Sequence, residues 1–271
     1  MEKTDQAEFY RRAEEFVNRL MEEAPVVATE LGDHRFDDRL ADRSKAALER
    51  QHREIKGWLE EFEGFNAEEF EPDARIDHRL MVGVARSILR GFEKLRPHLR
   101  NPGMYSEECL AGVFLLLIRE FAPLEERLRS VLGRLRAAPE VLAQGKENIA
   151  PGEVPPVWCE VALESAEQGL GLFTQLIPAL TQQVPDQKLQ AELNEASRVA
   201  TEALRDYIAF LKERVAPQTR GDFAVGEELF EELLREDHLL DYTAEELLQT
   251  GWRLFEETEA EMEELAQKID P

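Results

Sequence analysis

Apolar residues recur at three- and four-residue spacing along the chain. Phe9, Ala13, Phe16, Val17, Leu20 and Met21 form one stripe, Leu48, Ile55, Leu59 and Phe62 a second, and Ile76, Leu80, Val84, Ile88, Phe92 and Leu95 a third. This is the period of an amphipathic helix with one face turned to a core. Ser44 stands where it can cap the second helix. Ser106 to Phe121 is apolar nearly all round, which implies burial on several sides. Leu124, Leu128, Val131, Leu132 and Leu135 follow Pro123, a residue tolerated in a first helical turn. No segment alternates with period two. The pattern predicts an all-α chain, an array of long amphipathic helices in a bundle without significant sheet.

Pro151-Gly152-Glu153-Val154-Pro155-Pro156 predicts a loop, because proline lacks a backbone donor and biases its predecessor away from helix. It suggests two helical subdomains, 1–150 and 151–271, packed together. Helices are expected over about Val157 to Val184 and Asp186 to Val215, split at Pro185. After a loop at Pro217 to Asp222 comes a helix with Leu229, Phe230, Leu233 and Leu234. Thr243-Ala244-Glu245-Glu246 reads as a capping box opening a last helix that carries Leu247, Leu248, Gly251, Trp252, Phe255, Met262 and Leu265.

Charge narrows the function classes. The 271 residues include 57 acidic and 33 basic side chains, a net charge of −24, which repels phosphate backbones and anionic membranes alike. From Asp222 onward 17 acids face only Arg235, Arg253 and Lys268, as expected of a solvated helix face or one meeting a basic partner. With 43% hydrophobic residues the chain can still bury a core. The longest strongly apolar stretch, Leu110 to Ile118, is too short to span a bilayer. Met1 to Gln6 is polar and acidic, unlike a signal peptide. Cys109 and Cys159, the only cysteines, read as free buried thiols. A reduced, cytoplasmic protein is the expectation.

Catalytic signatures are sparse. His34, His52, His78, His98 and His238 form no four-residue pair, and Glu49 to His52 is the only E-x-x-H, so neither a zincin helix nor a di-iron bundle is predicted. No nucleophile elbow, phosphate loop or dinucleotide fingerprint occurs. Two loops concentrate polar chemistry. Thr29 to Ser44 holds Asp33, His34, Arg35, Asp37 and Asp38, which Arg–Asp pairing and capping could largely absorb. Asn101-Pro102-Gly103-Met104-Tyr105 is a turn between long helices. Asp33, His34, Arg35, Asp37, Asp38, Asn101 and Tyr105 are the candidate cleft-lining residues.

The string Leu31-Gly32, Phe36-Asp37-Asp38-Arg39-Leu40, Asp42 and Ser44 resembles the opening of the bacterial family called domain of unknown function 885. Asp77, Asn101-Pro102 with Tyr105, Val225 to Phe230, and Asp241 to Gly251 are similar to later parts of the same family's first half. Members are mostly helical, extend through a second half and resemble zinc metallopeptidases. Their H-E-x-x-P-G-H-like zinc motif belongs to that second half. Here the Pro-Gly pairs, Pro102-Gly103 and Pro151-Gly152, are followed by Met104 and Glu153, so no zinc ligand or catalytic glutamate carries over.

The resemblance implies a helical scaffold half, truncated or a split-gene subunit and inactive alone, with zinc supplied only by the C-terminal half. Its expected partners are that half or a complementary subunit, or a second copy, with a peptide-like substrate once assembled. Neither nucleic acid nor membrane is expected. The alternative is a stand-alone acidic binding or assembly module, and a third reading is an enzyme using a carboxylate pair. A scaffold half should expose an apolar docking surface.

Overall fold

The computed structural model describes residues 2–269; Met1, Asp270 and Pro271, which the readings of the two termini touch, lie outside it. The all-α expectation holds: every regular element is helical, and no strand occurs among the described residues. The chain divides into two compact units, residues 1–223 and 224–271.

In the first unit, α1 (Glu2–Glu23), α2 (Pro25–Leu31), α3 (Lys45–Glu63) and α4 (Pro72–Arg90) come first. The short α5 (Pro97–Arg100) leads to α6 (Gly103–Ile118) and α7 (Leu124–Asn148). The unit continues through α8 (Pro156–Gly171), α9 (Ile177–Thr181) and α10 (Gln187–Phe210). The proline-rich 151–156 segment lies inside this unit as a 3-10 turn and the first residue of α8. Ser44 caps α3 by accepting from the Ala47 N–H, and α7 runs on through Pro139 at the loss of one intrahelical hydrogen bond.

Two apolar cores form. In the smaller, Phe9 and Phe16 of α1 meet Ile55 and Phe62 of α3 and Leu89 of α4. In the larger, α6 packs against α2, α7 and α8, and α10 packs against α7, which fully buries Val113, Leu116, Leu128, Leu135 and Leu204; a further apolar face of α6 stays outward, with Phe114 46% and Ile118 51% exposed. Cys109 and Cys159 are free thiols within it, and burial pushes the Cys109 thiol well above its ordinary range.

One stripe is corrected. On α4, Ile76 is 60% and Leu80 47% exposed, whereas Ala74, Ala85 and Leu89 are buried. At roughly 100° per residue, Ala74 and Ala85 lie nearly opposite Ile76. The inward face is marked by small residues, and by His78, whose Nε2 lies 2.7 Å from the Phe62 carbonyl. Ile76 and Leu80 are the misleading signal, whereas Ile88 of the same stripe does pack against the smaller core.

The second unit contains α11 (Glu227–Glu236) and α12 (Ala244–Ile269). The capping box forms: the Thr243 N–H donates to Glu246 at 2.9 Å and the Glu246 N–H donates to the Thr243 hydroxyl at 3.2 Å. No described residue of α12 is buried.

Candidate functional site

Both polar loops of the sequence are ordered by the larger core. Gly32 closes α2 in the left-handed conformation at φ 89°, which turns the chain into a 3-10 turn over His34–Phe36. Asp33 accepts from the Arg35 N–H, and the Arg35 guanidinium binds Asp33 and Asn18. That pair is local and largely exposed. Asp37 points the other way and is only 5% exposed. It accepts from the Thr29 hydroxyl at 2.6 Å and lies 2.8 Å from His34 Nδ1, whose ring stacks on Phe121.

Arg134 of α7 is the buried counter-ion, 3.9 Å from Asp37. It donates to the carbonyls of Arg39, Gly112 and Pro25 and to the Thr29 hydroxyl. Burial still draws its pKa down to about 10, against the opposing pull of Asp37, Glu108 and Asp38. Asp38 itself is exposed, and its backbone lies so close to α7 that a Cβ on Gly133 would meet its carbonyl oxygen at 2.3 Å. This network anchors the loop. His34 is oriented by a buried carboxylate, but no nucleophile adjoins it among the described contacts.

The other end of the loop does something different. The Arg43 N–H donates to Gln144 at 2.7 Å, and Asn148 donates to the Arg43 carbonyl at 2.6 Å and to the Tyr105 hydroxyl at 3.1 Å. Tyr105 donates to the His98 carbonyl at 2.6 Å, and Asn101 accepts from the Gly103 N–H at 3.0 Å. Asn148 thus ties the two loops together. Tyr105 is fully buried and Asn101 half-buried, and through these bonds both shape the turn.

A pocket of about 170 Å³ opens beside this junction, lined by Arg43, Leu48, Gln51, Ile88, Gly91, Phe92, Pro97, His98 and Met104. None of the seven predicted residues lines it, although Arg43 and Met104 belong to the two loops. Its rim includes a π-helical turn, Gly91–Leu95, followed by Arg96 in the left-handed region at φ 47°. Burial, helped by Arg96, lowers the His98 pKa, which favours a neutral ring at pH 7. Arg43 pairs with Glu108 at 3.2 Å, yet its Nε is buried without a hydrogen-bond partner. In the sequence His98 stands out only as a histidine with no partner at helical spacing. The helix-ending Arg96-Pro97 ahead of it was the available signal.

A resident zinc does not fit these residues. Among the described residues no group of three or more His, Cys, Asp or Glu could hold a metal ion. His34, His52 and His78 instead meet three separate partners, Asp37, Glu93 and the Phe62 carbonyl.

The sequence profile of the family described as "Bacterial protein of unknown function (DUF885)" matches residues 25–271. The chain belongs to the DUF885 family. Both polar loops and the pocket fall inside the DUF885 match. No curated protein matches the chain. Among solved structures, this DUF885 chain is similar to a candidate lipoprotein of unknown function from Shewanella oneidensis, with a TM-score of 0.81 at 22% identity. The match covers 96% of this chain and 48% of that one, so the chain spans about half the length of the structure it resembles. At that identity the likeness shows a shared fold alone. Among the described residues no helix is long and apolar enough to cross a membrane.

Proposed function

We propose that the chain acts as the helical scaffold half of a metallopeptidase-like DUF885 protein and docks the remaining half along α12. The observation that carries this reading is the uncovered apolar face of that helix. Leu248, Trp252, Phe255, Met262 and Leu265 are each more than half exposed, and with Phe230 of α11 several of them border a concavity of about 530 Å³. Scattered exposed apolar residues are ordinary, but a continuous row along one helix indicates a partner.

Charge selects among partners. The acidic flanks of α11 and α12 repel a second copy of themselves and favour an apolar ridge edged with Lys and Arg. That supports a complementary half over the stand-alone module or a homo-oligomer. The chain would contribute rigid packing and one wall of a peptide-binding cleft, with no hydrolytic step of its own. A cytoplasmic location belongs to this reading, supported by the two free thiols; the description as a lipoprotein belongs to the relative.

The test is zinc content and peptidase activity of the purified chain, alone and with the polypeptide encoded immediately downstream. Zinc and hydrolysis only in the mixture, lost with Trp252→Ser/Phe255→Ser, are expected. Stoichiometric zinc on the chain alone, or no association at all, contradicts the proposal.

A further inference from the structure

Arg43 is an anomaly in a well-satisfied interior. Its Nε is the one buried side-chain nitrogen or oxygen without a hydrogen-bond partner among the described residues, and a buried donor left unpaired is destabilising. The same side chain lines the pocket where α3, α4, α5 and α6 converge. The π-turn and the left-handed Arg96 beside it are backbone irregularities of the kind that cluster at functional sites.

The chemistry of the walls specifies a ligand class. Leu48, Ile88, Phe92, Pro97 and Met104 offer apolar surface, and Arg43, Gln51 and His98 the polar atoms. A volume of about 170 Å³ suits one small ring, since cavities of about 150 Å³ accept benzene. The Arg43 charge is already answered by Glu108. An anionic ligand would therefore bring an uncompensated charge into a chain of net charge −24. A neutral oxygen avoids that cost.

We infer that this pocket binds a small, neutral, mostly apolar molecule carrying one carbonyl-type acceptor, which takes the unpaired Arg43 N–H after a small rotation of the guanidinium. The inference does not rest on the metallopeptidase reading, and it holds or fails on this chain alone.

The chain has five methionines, so 13C-methyl-methionine labelling gives a spectrum in which Met104 can report on its own pocket. The probes are acetophenone, ethylbenzene (same ring and two-carbon chain, no acceptor) and benzoate (same ring, anionic). Saturable Met104 shifts are expected with acetophenone, with ethylbenzene and benzoate each about tenfold weaker. Arg43→Met should erase the preference for acetophenone over ethylbenzene, and Ile88→Phe, which fills the pocket, should abolish both. The proposal is overturned if acetophenone leaves Met104 unmoved, if ethylbenzene binds as tightly, or if benzoate binds more tightly.

Discussion

Helices α7 and α12 are nearly equal in length, at 25 and 26 residues, and both carry apolar residues at helical spacing. In α7 that stripe is buried together with Arg134, Gln144 and Asn148, each held by loop residues more than 90 positions away. In α12 nothing is buried. An apolar stripe thus states that a helix has a face to cover, without stating what covers it. For α7 the cover is the chain itself, whereas the proposal for α12 is a separate polypeptide surface.

The sharpest break between the two helices should come at Arg134. Replacing it with methionine leaves Asp37 buried without its counter-ion and should cost about 3–5 kcal/mol in chemical denaturation. Gly133→Ala comes next. Its Cβ would collide with the Asp38 backbone, and about 1–3 kcal/mol of overpacking should outweigh the roughly 1 kcal/mol gained in helix propensity.

A third test concerns the junction of the loops. Asn148→Ala strands the Arg43 carbonyl and removes a donor from Tyr105, a loss of about 1–3 kcal/mol by the same assay.

A smaller effect is pH-dependent. The folded His98 pKa is lowered, so in the range between its folded and ordinary values the unfolded chain binds more protons. Its contribution to stability is complete above the ordinary imidazole pKa and is lost as pH falls through the folded value. Denaturation midpoints across that range should slope less in His98→Gln. An unchanged slope would remove His98 from the account.

The smallest change is expected on α12: Trp252→Ser/Phe255→Ser should shift the stability of the isolated chain by no more than about 0.5 kcal/mol. A large loss there would mean that the face is already covered.

How far such features could be read in advance depended on their range. Ser44 and the Thr243–Glu246 box were legible because a cap and its partners lie within three residues. The buried sides of α6 are legible because its polarity is low all round, but that same low polarity hides the face that stays outward, with Phe114 and Ile118 exposed. The inward face of α4 is not legible, since Ala74 and Ala85 give a weaker apolar signal than Ile76 and Leu80. Within the Gly32 to Ser44 loop, the most evident chemistry belongs to Asp33, His34, Arg35, Asp37 and Asp38. The structure pairs Arg35 locally, buries Asp37 against Arg134 and leaves the pocket to Arg43. The placing of Asp37 by Arg134, and of the Arg43 backbone by Gln144 and Asn148, depends on α7 residues distant in sequence, which no local pattern announces.

Amide hydrogen exchange across α7 and α12 tests the central claim most directly, measured on the chain alone and with the polypeptide encoded immediately downstream. The account predicts slow exchange in α7 under both conditions, and fast exchange in α12 that becomes slow when the second polypeptide is added. Exchange in α12 as slow as in α7 for the isolated monomer, or no change on addition, would contradict it.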